Sequence, residues 1–310
     1  MKKTSLIYVA GHTGLVGSAI IRKLLASGYR NLLLKTHREL DLTNQQANVD
    51  FLKDKRPEYL FLCAARVGGI YANSSFPAEF VYQNAMIEAN VINAAWASGV
   101  KKLLYLGCSC MYPKHAVNPI REEALLTGRT EPTNEPYAVA KILGVELCQA
   151  YNRQYGTRFI VAIPSNVYGV GERHFDSSGH VVPGLINSFE TAKQERLPAV
   201  TVWGSGKPKR DFLYVDDLAD ACLFLIGHYE ASEVVNVGTG QGVSIARLAR
   251  IVKKTVGFSG KIVYDTQKPD GMPARVIDIR KIRALGWEAK TELENGLKST
   301  YEWYKQKFRR

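Results

Sequence analysis

The sequence predicts an α/β fold in which a doubly wound parallel sheet is followed by a smaller, less regular α/β unit. Two observations lead to this prediction. Through the first 165 residues, short apolar runs alternate with helix-like stretches, and a glycine-rich turn joins the first run to the first helix. Strands that alternate with helices of this length imply right-handed βαβ crossovers and therefore a parallel sheet.

The first half contains five predicted strands and four predicted helices. The strands are short apolar runs at Ser5–Ala10, Asn31–Thr36, Tyr59–Ala64, Lys101–Gly107 and Arg158–Ile163. The helices show apolar residues at helical spacing and lie at Leu15–Ser27, Asn44–Lys55, Pro77–Ser98 and Tyr137–Tyr155. Several βα units in succession favour a doubly wound sheet of the Rossmann type.

The pattern changes after Gly169, where a polar, glycine-rich loop runs to Gly179. Predicted helices follow at Val181–Lys193, Asp216–Gly227, Ser244–Val256 and Glu292–Lys305. Predicted strands lie at Val200–Trp203, Asp211–Val215, Glu233–Val237 and Lys261–Tyr264. We therefore expect one domain over residues 1–169 and a second, smaller one over 170–310, with 211–240 returning in part to the first.

Length and composition exclude several classes of protein. The chain has 310 residues, of which 46% are hydrophobic and 23% charged, so it is neither a disordered chain nor a fibrous or disulfide-rich scaffold. No apolar run approaches the roughly 18 residues that a membrane-spanning helix needs. The apolar stretch Leu6–Ala10 after Met1 is too short for a secretory signal. We expect a cytoplasmic protein without a membrane partner.

The chain carries a basic excess of 41 Lys and Arg over 29 Asp and Glu, a formal net charge of +12. Such an excess fits an anionic small molecule as a ligand, a nucleic acid, a membrane surface, or simply a solvated basic face. The dense basic cluster is Lys305–Arg310, and no basic stripe alternates with aromatic residues. We therefore predict no nucleic-acid partner.

Five cysteines, at Cys63, Cys108, Cys110, Cys148 and Cys222, form an odd and unpatterned set. This usage predicts reduced thiols rather than disulfides. The Cys108-Ser109-Cys110 segment lacks zinc-binding spacing and has no second cysteine pair, so we predict no metal site.

The glycine-rich turn after the first strand is a candidate phosphate-binding loop. Glycine permits tight turns and close approach of a ligand to the backbone, and a helix N-terminus offers free N–H groups to a pyrophosphate. The strand–turn–helix context predicts dinucleotide binding, the alternative being a tight turn without a ligand. The predicted cofactor-binding residues of this loop are Gly11, Thr13, Gly14, Leu15, Val16 and Gly17.

The end of the second strand bears on the choice between NAD and NADP. Basic residues there accommodate the 2′-phosphate of NADP, whereas an acidic residue binds the ribose hydroxyls of NAD. NADP is favoured by the basic residues Lys35, His37 and Arg38, whereas the acidic Glu39 favours NAD. Asp41 is placed to reach the adenine.

Tyr137 and Lys141 begin a predicted helix and are four residues apart, so they share one helix face. A nearby ammonium favours the phenolate and lowers the pKa of a tyrosine, which is near 10 when free. A tyrosine held in this way can pass a proton to or from a carbonyl oxygen during hydride transfer. The alternative is a surface Tyr–Lys pair without catalytic use.

With these motifs, the chain resembles the extended short-chain dehydrogenase/reductase family, and within it the enzymes that epimerise and reduce GDP-linked 4-keto-6-deoxy sugars. The resemblance spans almost the whole chain. It depends on the segments Ala10–His12, Val67–Ile70, Cys110–Lys114, Glu131–Tyr137, Tyr151–Gly156, His180–Pro183, Val202–Gly206, Asn236–Gly240 and Lys268–Gly271.

The resemblance implies a two-stage reaction in a homodimer. Epimerisation at C3 and C5 of GDP-4-keto-6-deoxy-D-mannose would precede reduction of C4 by NADPH, giving GDP-L-fucose. Cys110 and His180 match the epimerisation pair, and Tyr137 and Lys141 match the reduction pair. From residue type alone, Cys110 is equally a buried small hydrophobe and His180 a loop histidine.

The resemblance also implies binding residues. Lys141, His180 and the segment Pro164, Ser165, Asn166 and Val167 would contact the cofactor. Ser188, Trp203, Arg210 and Asp270 would contact the nucleotide sugar, and a guanidinium suits a diphosphate because it can bind two oxygens at once. Without the resemblance, core packing would account for Trp203 and surface pairing for the charged residues.

The chain departs from the family pattern at three positions. Cys108 stands where a Ser or Thr usually bonds the substrate carbonyl; a thiol is a weaker donor, and losing such a donor costs about 10²–10³ in rate. Ser109 adjoins it but faces the other way on an extended strand. Thr13 replaces an Arg expected beside the 2′-phosphate, and Ser188 replaces a basic residue near the substrate diphosphate.

These departures keep two other hypotheses open. The chain would then act on a related GDP-4-keto sugar, such as a heptose or a dideoxy sugar, or perform only one of the two stages. The other hypothesis is a non-catalytic dinucleotide-binding protein.

Overall fold

The computed structural model describes residues 1–175, 180–268 and 270–308. Its strands are β1 (Ile7–Ala10), β2 (Leu32–Leu33), β3 (Tyr59–Leu62), β4 (Lys102–Leu106), β5 (Phe159–Pro164), β6 (Asn166–Tyr168), β7 (Ala199–Trp203), β8 (Lys209–Arg210), β9 (Phe212–Tyr214), β10 (Val235–Val237), β11 (Val243–Ser244), β12 (Lys261–Asp265) and β13 (Ala274–Arg275). Its α-helices are α1 (Leu15–Ala26), α2 (Gln45–Lys55), α3 (Ile70–Ser75), α4 (Pro77–Ala97), α5 (Glu135–Tyr155), α6 (Val181–Gln194), α7 (Val215–His228), α8 (Ile245–Val256), α9 (Arg280–Ala284) and α10 (Leu293–Phe308).

A six-stranded sheet in the order β10-β5-β4-β3-β1-β2 forms the centre of the molecule, and every neighbouring pair in it is parallel. The predicted parallel, Rossmann-type sheet is therefore confirmed. From β1 the chain adds β2 on one side and then crosses to β3 on the other. The reversal of direction between β1 and β3 opens the crevice in which α/β sheets of this kind bind ligands.

The second strand is much shorter than the predicted Asn31–Thr36 and ends at Leu33. The prediction was wrong here because the chain turns at its end instead of following the sheet. The backbone N–H and the hydroxyl of Thr36 both donate to the Glu39 carboxylate, each at 2.8 Å, which holds residues 36–39 as a turn.

Two hydrophobic clusters fill the described part of the chain. The larger one surrounds the six-stranded sheet and includes residues of α7 and β10 as well as of the first half. The smaller one joins α6, α8 and α10 through Phe189, Leu248 and Leu297, all fully buried. The division of the chain at residues 169 and 170 into two functional domains stays a prediction.

Three small sheets lie in the second half and around its junction with the first. Their strand orders are β11-β8-β13, β12-β7 and β6-β9. In the first of these, Arg210 of β8 stands beside Arg275 of β13 in register. This register places two arginines next to each other on one short sheet.

The long helices α4 and α5 pack against each other beside the central sheet. Gly144 of α5 lets this helix approach β4, because a Cβ at residue 144 would overlap the Tyr105 ring. The Tyr105 hydroxyl then donates to the carbonyl oxygen of Lys141 at 3.1 Å. The predicted helix at Tyr137 thus begins two residues earlier, at Glu135, after a 3₁₀ turn over Pro132–Asn134.

In the ranges that the structure describes, no helix is both long and apolar enough to cross a membrane. Parts of three predicted features lie outside those ranges. They are residues 176–179 of the glycine-rich loop, Pro269 of the Lys268–Gly271 segment, and residues 309 and 310 of the basic C-terminal cluster.

Candidate active site

The predicted phosphate loop joins β1 to α1 and forms a cradle of backbone groups. Gly11 has a φ of +82°, and a Cβ there would lie 2.6 Å from the backbone nitrogen of Ala64, which follows β3. The N–H of Gly14 donates to the carbonyl oxygen of Gly11 at 3.0 Å. Gly14 caps α1 without a side-chain hydrogen bond, so the first-turn N–H groups keep their capacity to bind an anion.

This loop fits the pyrophosphate of a dinucleotide. A Cβ at Gly17 would overlap the carbonyl oxygen of Gly11, so the small residue lets the helix start close to the turn. Thr13 and Gly14 are exposed on the outer side of the loop. Both positions are open to a ligand, and the individual roles of Thr13, Leu15 and Val16 stay predictions.

At the end of the second strand, the acidic residue Glu39 and the basic residue Arg38 have different surroundings. Glu39 forms an ion pair with Lys35 at 3.3 Å and accepts hydrogen bonds from Thr36. The backbone hydrogen bond from Thr36 is the largest cause that lowers the pKa of Glu39 to about 2. Arg38 is exposed and has no ion pair with any residue in the described ranges. Glu39 is thus engaged within its own turn, while Arg38 is available to a phosphate.

The two other predicted residues of this region lie close together. The Nδ1 atom of His37 is 3.9 Å from the Asp41 carboxylate. Asp41 accepts hydrogen bonds from the backbone N–H and the hydroxyl of Thr43 at 2.9 and 2.8 Å. The backbone bond is the main cause that lowers the pKa of Asp41, so this carboxylate is charged and held in place.

The segment after β5 lies at the same carboxyl edge of the sheet as the phosphate loop. Pro164 ends β5, and the N–H of Ser165 donates to the carbonyl oxygen of Val237 at 3.0 Å. The backbone and side-chain N–H groups of Asn166 both donate to the carbonyl oxygen of Asp211. These bonds fix Asn166 and the following Val167 in β6, beside the ends of β4 and β5.

Tyr137 and Lys141 lie on the side of α5 that faces α4 and β4. The Lys141 ammonium is 3.2 Å from the Glu88 carboxylate and 4.5 Å from the centre of the Tyr105 ring, and it is almost entirely buried. The Tyr137 ring packs edge-on against Phe80 at 6.3 Å. The alternative hypothesis was a surface Tyr–Lys pair. It is wrong for Lys141, because this side chain is buried.

The expected lowering of the Tyr137 pKa was wrong in its net direction. Burial raises the pKa of Tyr137, and this desolvation outweighs the opposing effect of the Lys141 charge. The phenol therefore keeps its proton at neutral pH. A protonated phenol is the form that can donate to a carbonyl oxygen as that oxygen gains charge.

The turn after β4 differs most from expectation. Cys108 and Cys110 form a disulfide, whereas Cys63, Cys148 and Cys222 are free thiols. The prediction of reduced thiols was thus wrong for the first pair. Cys108 is extended, and a 3₁₀ turn over Ser109–Met111 brings its Cα within 5.4 Å of that of Cys110, a separation at which two cysteines can bond.

In this oxidised form, neither cysteine has the role predicted for it. A disulfide sulfur has no proton, so Cys110 cannot act as an acid or base and Cys108 cannot donate a hydrogen bond. Ser109, the alternative donor, is buried within the turn.

An arginine that the sequence analysis missed contacts this turn. Arg275 is buried, and its guanidinium donates to the carbonyl oxygen of Ser109. Desolvation, followed by the charge of the neighbouring Arg210, lowers the pKa of Arg275 to about 10. Arg210 itself donates to the carbonyl oxygen of Met272 at 2.7 Å. The contact links the small sheet of the second half to the turn between the cysteines.

His180 is the N-cap residue of α6. Desolvation by the surrounding protein lowers the pKa of its imidazole, and this outweighs the raising effect of Glu172. The ring is therefore neutral at pH 7 and able to accept a proton. Within the described ranges, no hydrogen bond or ion pair joins His180 to Cys110.

The predicted substrate residues lie on the second half. Trp203, at the end of β7, is 73% exposed, so the core-packing reading is wrong; the Lys268 ammonium lies 5.6 Å from its ring. Asp270 accepts hydrogen bonds from the backbone N–H and the hydroxyl of Ser205. Ser188 is exposed on α6. The site thus offers an open aromatic face near Lys268 and a fixed carboxylate.

Two residues near the predicted site carried no usable signal in the sequence. Glu88 looks like an ordinary helix residue, because an acidic side chain in a 21-residue helix is most often solvated. Arg275 belongs to a two-residue strand whose partner lies 65 positions earlier in the chain, and no local pattern reveals that pairing.

Comparison with known proteins identifies the family. Residues 7–238 match the model of the NAD dependent epimerase/dehydratase family. The chain belongs to this family. The match spans the phosphate loop, the Tyr137–Lys141 helix and the strand β8 that carries Arg210.

Individual relatives of this family are similar over nearly their whole length. GDP-L-fucose synthase 1 from Arabidopsis thaliana is 52% identical over 302 residues, covering 97% of this chain and 94% of that protein. A GDP-6-OMe-4-keto-L-xylo-heptose reductase from C. jejuni is 39% identical, with a TM-score of 0.93 and 99% of each chain covered. A GDP-L-fucose synthetase from Naegleria fowleri, solved bound to NADP, is 27% identical with a TM-score of 0.91, covering 100% of this chain and 98% of that one.

NADP is the cofactor that this epimerase/dehydratase fold carries in the Naegleria fowleri relative, and the cradle at Gly11 together with the exposed Arg38 fits it. The predicted metal-free site is not contradicted. Across residues 1–175, 180–268 and 270–308, no group of three or more His, Cys, Asp or Glu side chains is arranged to hold a metal ion.

We predict that Arg38→Ala weakens NADPH binding about tenfold and leaves NADH binding unchanged, because a charged hydrogen bond to the 2′-phosphate is lost. Fluorescence titration with both nucleotides measures the two dissociation constants. The matched control is Arg153→Ala, an exposed arginine in the last turn of α5. An equal loss of affinity for NADH and NADPH would contradict the assignment.

Proposed function

We propose that this chain converts GDP-4-keto-6-deoxy-D-mannose to GDP-L-fucose, by epimerisation at C3 and C5 and reduction at C4 with NADPH. The observation that carries the proposal is 52% identity over nearly the full length of both chains to a GDP-L-fucose synthase. The arrangement at the carboxyl edge of the sheet supports it, because the phosphate loop follows β1, the cysteine turn follows β4 of the same parallel sheet, and Tyr137 lies on α5, which packs beside β4.

Reduction needs a proton at the C4 oxygen at the moment when the bound NADPH supplies a hydride to C4. Tyr137 is suited to donate that proton, since burial raises its pKa and keeps the phenol protonated. Lys141 lies one helical turn away and carries a positive charge that stabilises the phenolate left behind. The pair acts as the acid of the reductive stage.

Epimerisation needs groups that remove and return protons at C3 and C5, whose hydrogens the adjacent ketone makes acidic. His180 is suited to accept a proton because the lowered pKa keeps its imidazole neutral. Cys110 is suited to the partner role only as a free thiol. The disulfide must therefore be opened by a dithiol, which is oxidised to its own disulfide as Cys108 and Cys110 each gain one electron and one proton.

The nucleotide end of the substrate would bind on the second half of the chain. The exposed face of Trp203 is a stacking surface for guanine. Arg210 and its neighbour Arg275 supply positive charge for the diphosphate, replacing the basic residue absent at Ser188. Asp270, oriented by Ser205, would accept a hydrogen bond from a hydroxyl or amine of the ligand.

A second candidate reaction is reduction of a GDP-4-keto heptose. It is favoured by the similarity to the C. jejuni heptose reductase and by Cys108 at the position where a Ser or Thr usually stands. The non-catalytic reading has no observation of its own in the structure.

NMR in deuterated water tests the proposed reaction directly. With GDP-4-keto-6-deoxy-D-mannose and NADPH, we expect GDP-L-fucose with deuterium at C3 and C5. Tyr137→Phe should lower the rate of reduction by about 10²–10⁴ and leave the deuterium exchange in place. Reduction of the sugar without exchange would favour the heptose-reductase candidate, and the absence of both would overturn the proposal.

Opening of the cysteine bridge should control exchange. Protein reduced with dithiothreitol should exchange C3 and C5 hydrogens, whereas protein oxidised with the azo oxidant diamide should exchange about 10²-fold more slowly, because the thiol partner of His180 is lost. Renewed dithiothreitol should restore the rate. The control Cys63→Ser removes a free thiol outside the bridge and should respond as wild type does.

Mass spectrometry establishes the state of the bridge in each sample of this experiment. Equal exchange rates with the bridge fully closed and fully open would exclude Cys110 as the partner of His180 in the exchange.

We also propose that the chain is a homodimer paired through α4 and α5. Tyr82, Val139 and Leu143 are apolar side chains of these helices that are 38–64% exposed. Exposed apolar side chains on two helices that pack together are expected to contact a second copy. We also predict that the protein lies in the cytoplasm, because three of its cysteines are free thiols.

Val139→Arg together with Leu143→Arg should halve the mass measured by light scattering, because two charges per chain would be buried in the interface. The control Val263→Arg changes a valine of equal exposure on β12. An unchanged mass for the double variant would place the interface elsewhere.

A further inference from the structure

A carboxylate is buried directly behind the Tyr137–Lys141 pair. Glu88 projects from the middle of α4, and its side chain is 1% exposed. Its oxygen lies 3.2 Å from the Lys141 ammonium, which is itself 4% exposed. Placing an ion pair in the interior costs desolvation energy on both sides, so its presence beside a reactive group is informative.

Four further titratable groups lie around this pair. Tyr137 and Cys148 lie on α5 with Lys141, Tyr105 on β4, and Cys63 just after β3. The structure couples the charge of Lys141 to Cys63, Tyr137 and Cys148, and the charge of Glu88 to Tyr105, Tyr137 and Cys148. Glu88 is the acidic member of this group and Lys141 the basic one.

We propose that Glu88 is a positioning residue that holds the Lys141 ammonium and balances its charge, so that Tyr137 keeps its proton until a substrate arrives. The proposal rests on the proposed reduction and adds a residue to it.

The direction in which loss of the Glu88 charge would shift the Tyr137 titration follows from the charges of the three groups. Burial raises the pKa of Glu88, and the Lys141 charge 3.2 Å away opposes that effect. With Glu88 ionised, the buried trio of phenol, ammonium and carboxylate is neutral. Without that negative charge, the trio carries one positive charge, which favours the phenolate, so Tyr137 loses its proton at a lower pH. The reductive stage needs this proton, so its activity would fall off at a lower pH.

The experiment compares Glu88→Gln with wild type by NMR of protein labelled with [13Cζ]tyrosine. The Tyr137 signal is assigned from its loss in Tyr137→Phe, and its titration is followed without substrate or cofactor. We expect the midpoint of the Tyr137 titration to lie about one pH unit lower in Glu88→Gln than in wild type. The alkaline limb of the NADPH-dependent reduction rate should move in the same direction.

Two further variants separate this role from a structural one. Glu79→Gln makes the same change on the same helix at a half-exposed side chain that pairs with Arg66, and both curves should stay at their wild-type positions. In a Lys141→Met background, Glu88→Gln should shift the Tyr137 titration less than it does in wild type, because only the direct effect of the Glu88 charge on Tyr137 is then lost. An equal or larger shift in that background would overturn a role for Glu88 through the ammonium.

A measurement on unaltered protein covers the case in which Glu88→Gln does not fold. The carboxyl group of Glu88 is followed through its carbon, labelled as [13Cδ]glutamate and assigned with Glu88→Asp. We expect this signal to report an ionised carboxylate at pH 7. A protonated Glu88, or a titration of Tyr137 that Glu88→Gln leaves in place, overturns the proposal. Failure of wild-type protein to reduce the keto sugar would instead reject the proposed function, since the NMR titrations use no substrate.

Discussion

The site depends on one geometric constraint, the common direction of the six strands in the central sheet. Because every neighbouring pair is parallel, the segments that follow β1, β3, β4 and β5 all emerge at the same edge. The phosphate loop at Gly11 touches Ala64 after β3, and the cysteine turn continues β4. A helix packed beside that edge then places two residues one turn apart, Tyr137 and Lys141, at the site proposed for proton transfer.

Desolvation gives Tyr137 and His180 unusual acidity. It raises the pKa of Tyr137 and lowers that of His180, and both changes suit the tasks proposed for them, since one must donate and the other accept. The buried Lys141 ammonium lies 3.2 Å from the Glu88 carboxylate, and this ion pair joins α5 to α4 beside Tyr137. Reactivity and packing are therefore set by the same helix contact.

The sequence predicted what depends on local pattern. Alternating strands and helices gave the parallel sheet, and glycines at fixed spacing gave the turn at Gly11, because both are properties of neighbouring residues. The early end of β2 depends on Glu39 folding back onto Thr36, which competes with strand pairing. The Cys108–Cys110 bridge depends on a 3₁₀ turn that an extended-strand expectation does not contain. Arg275 and Glu88 reach the site through contacts between segments that are distant in the chain.

The neighbouring guanidinium groups of Arg210 and Arg275 bear on how the proposed substrate would be recognised. Held side by side on one short sheet, they repel each other, and this repulsion contributes to the lowered pKa of Arg275. A diphosphate bound there as proposed would neutralise both charges and relieve that repulsion, whereas a sugar without a nucleotide would leave it in place. Since Arg275 also donates to the carbonyl oxygen of Ser109, between the two cysteines, binding of the diphosphate would change the charge beside the turn that carries Cys110.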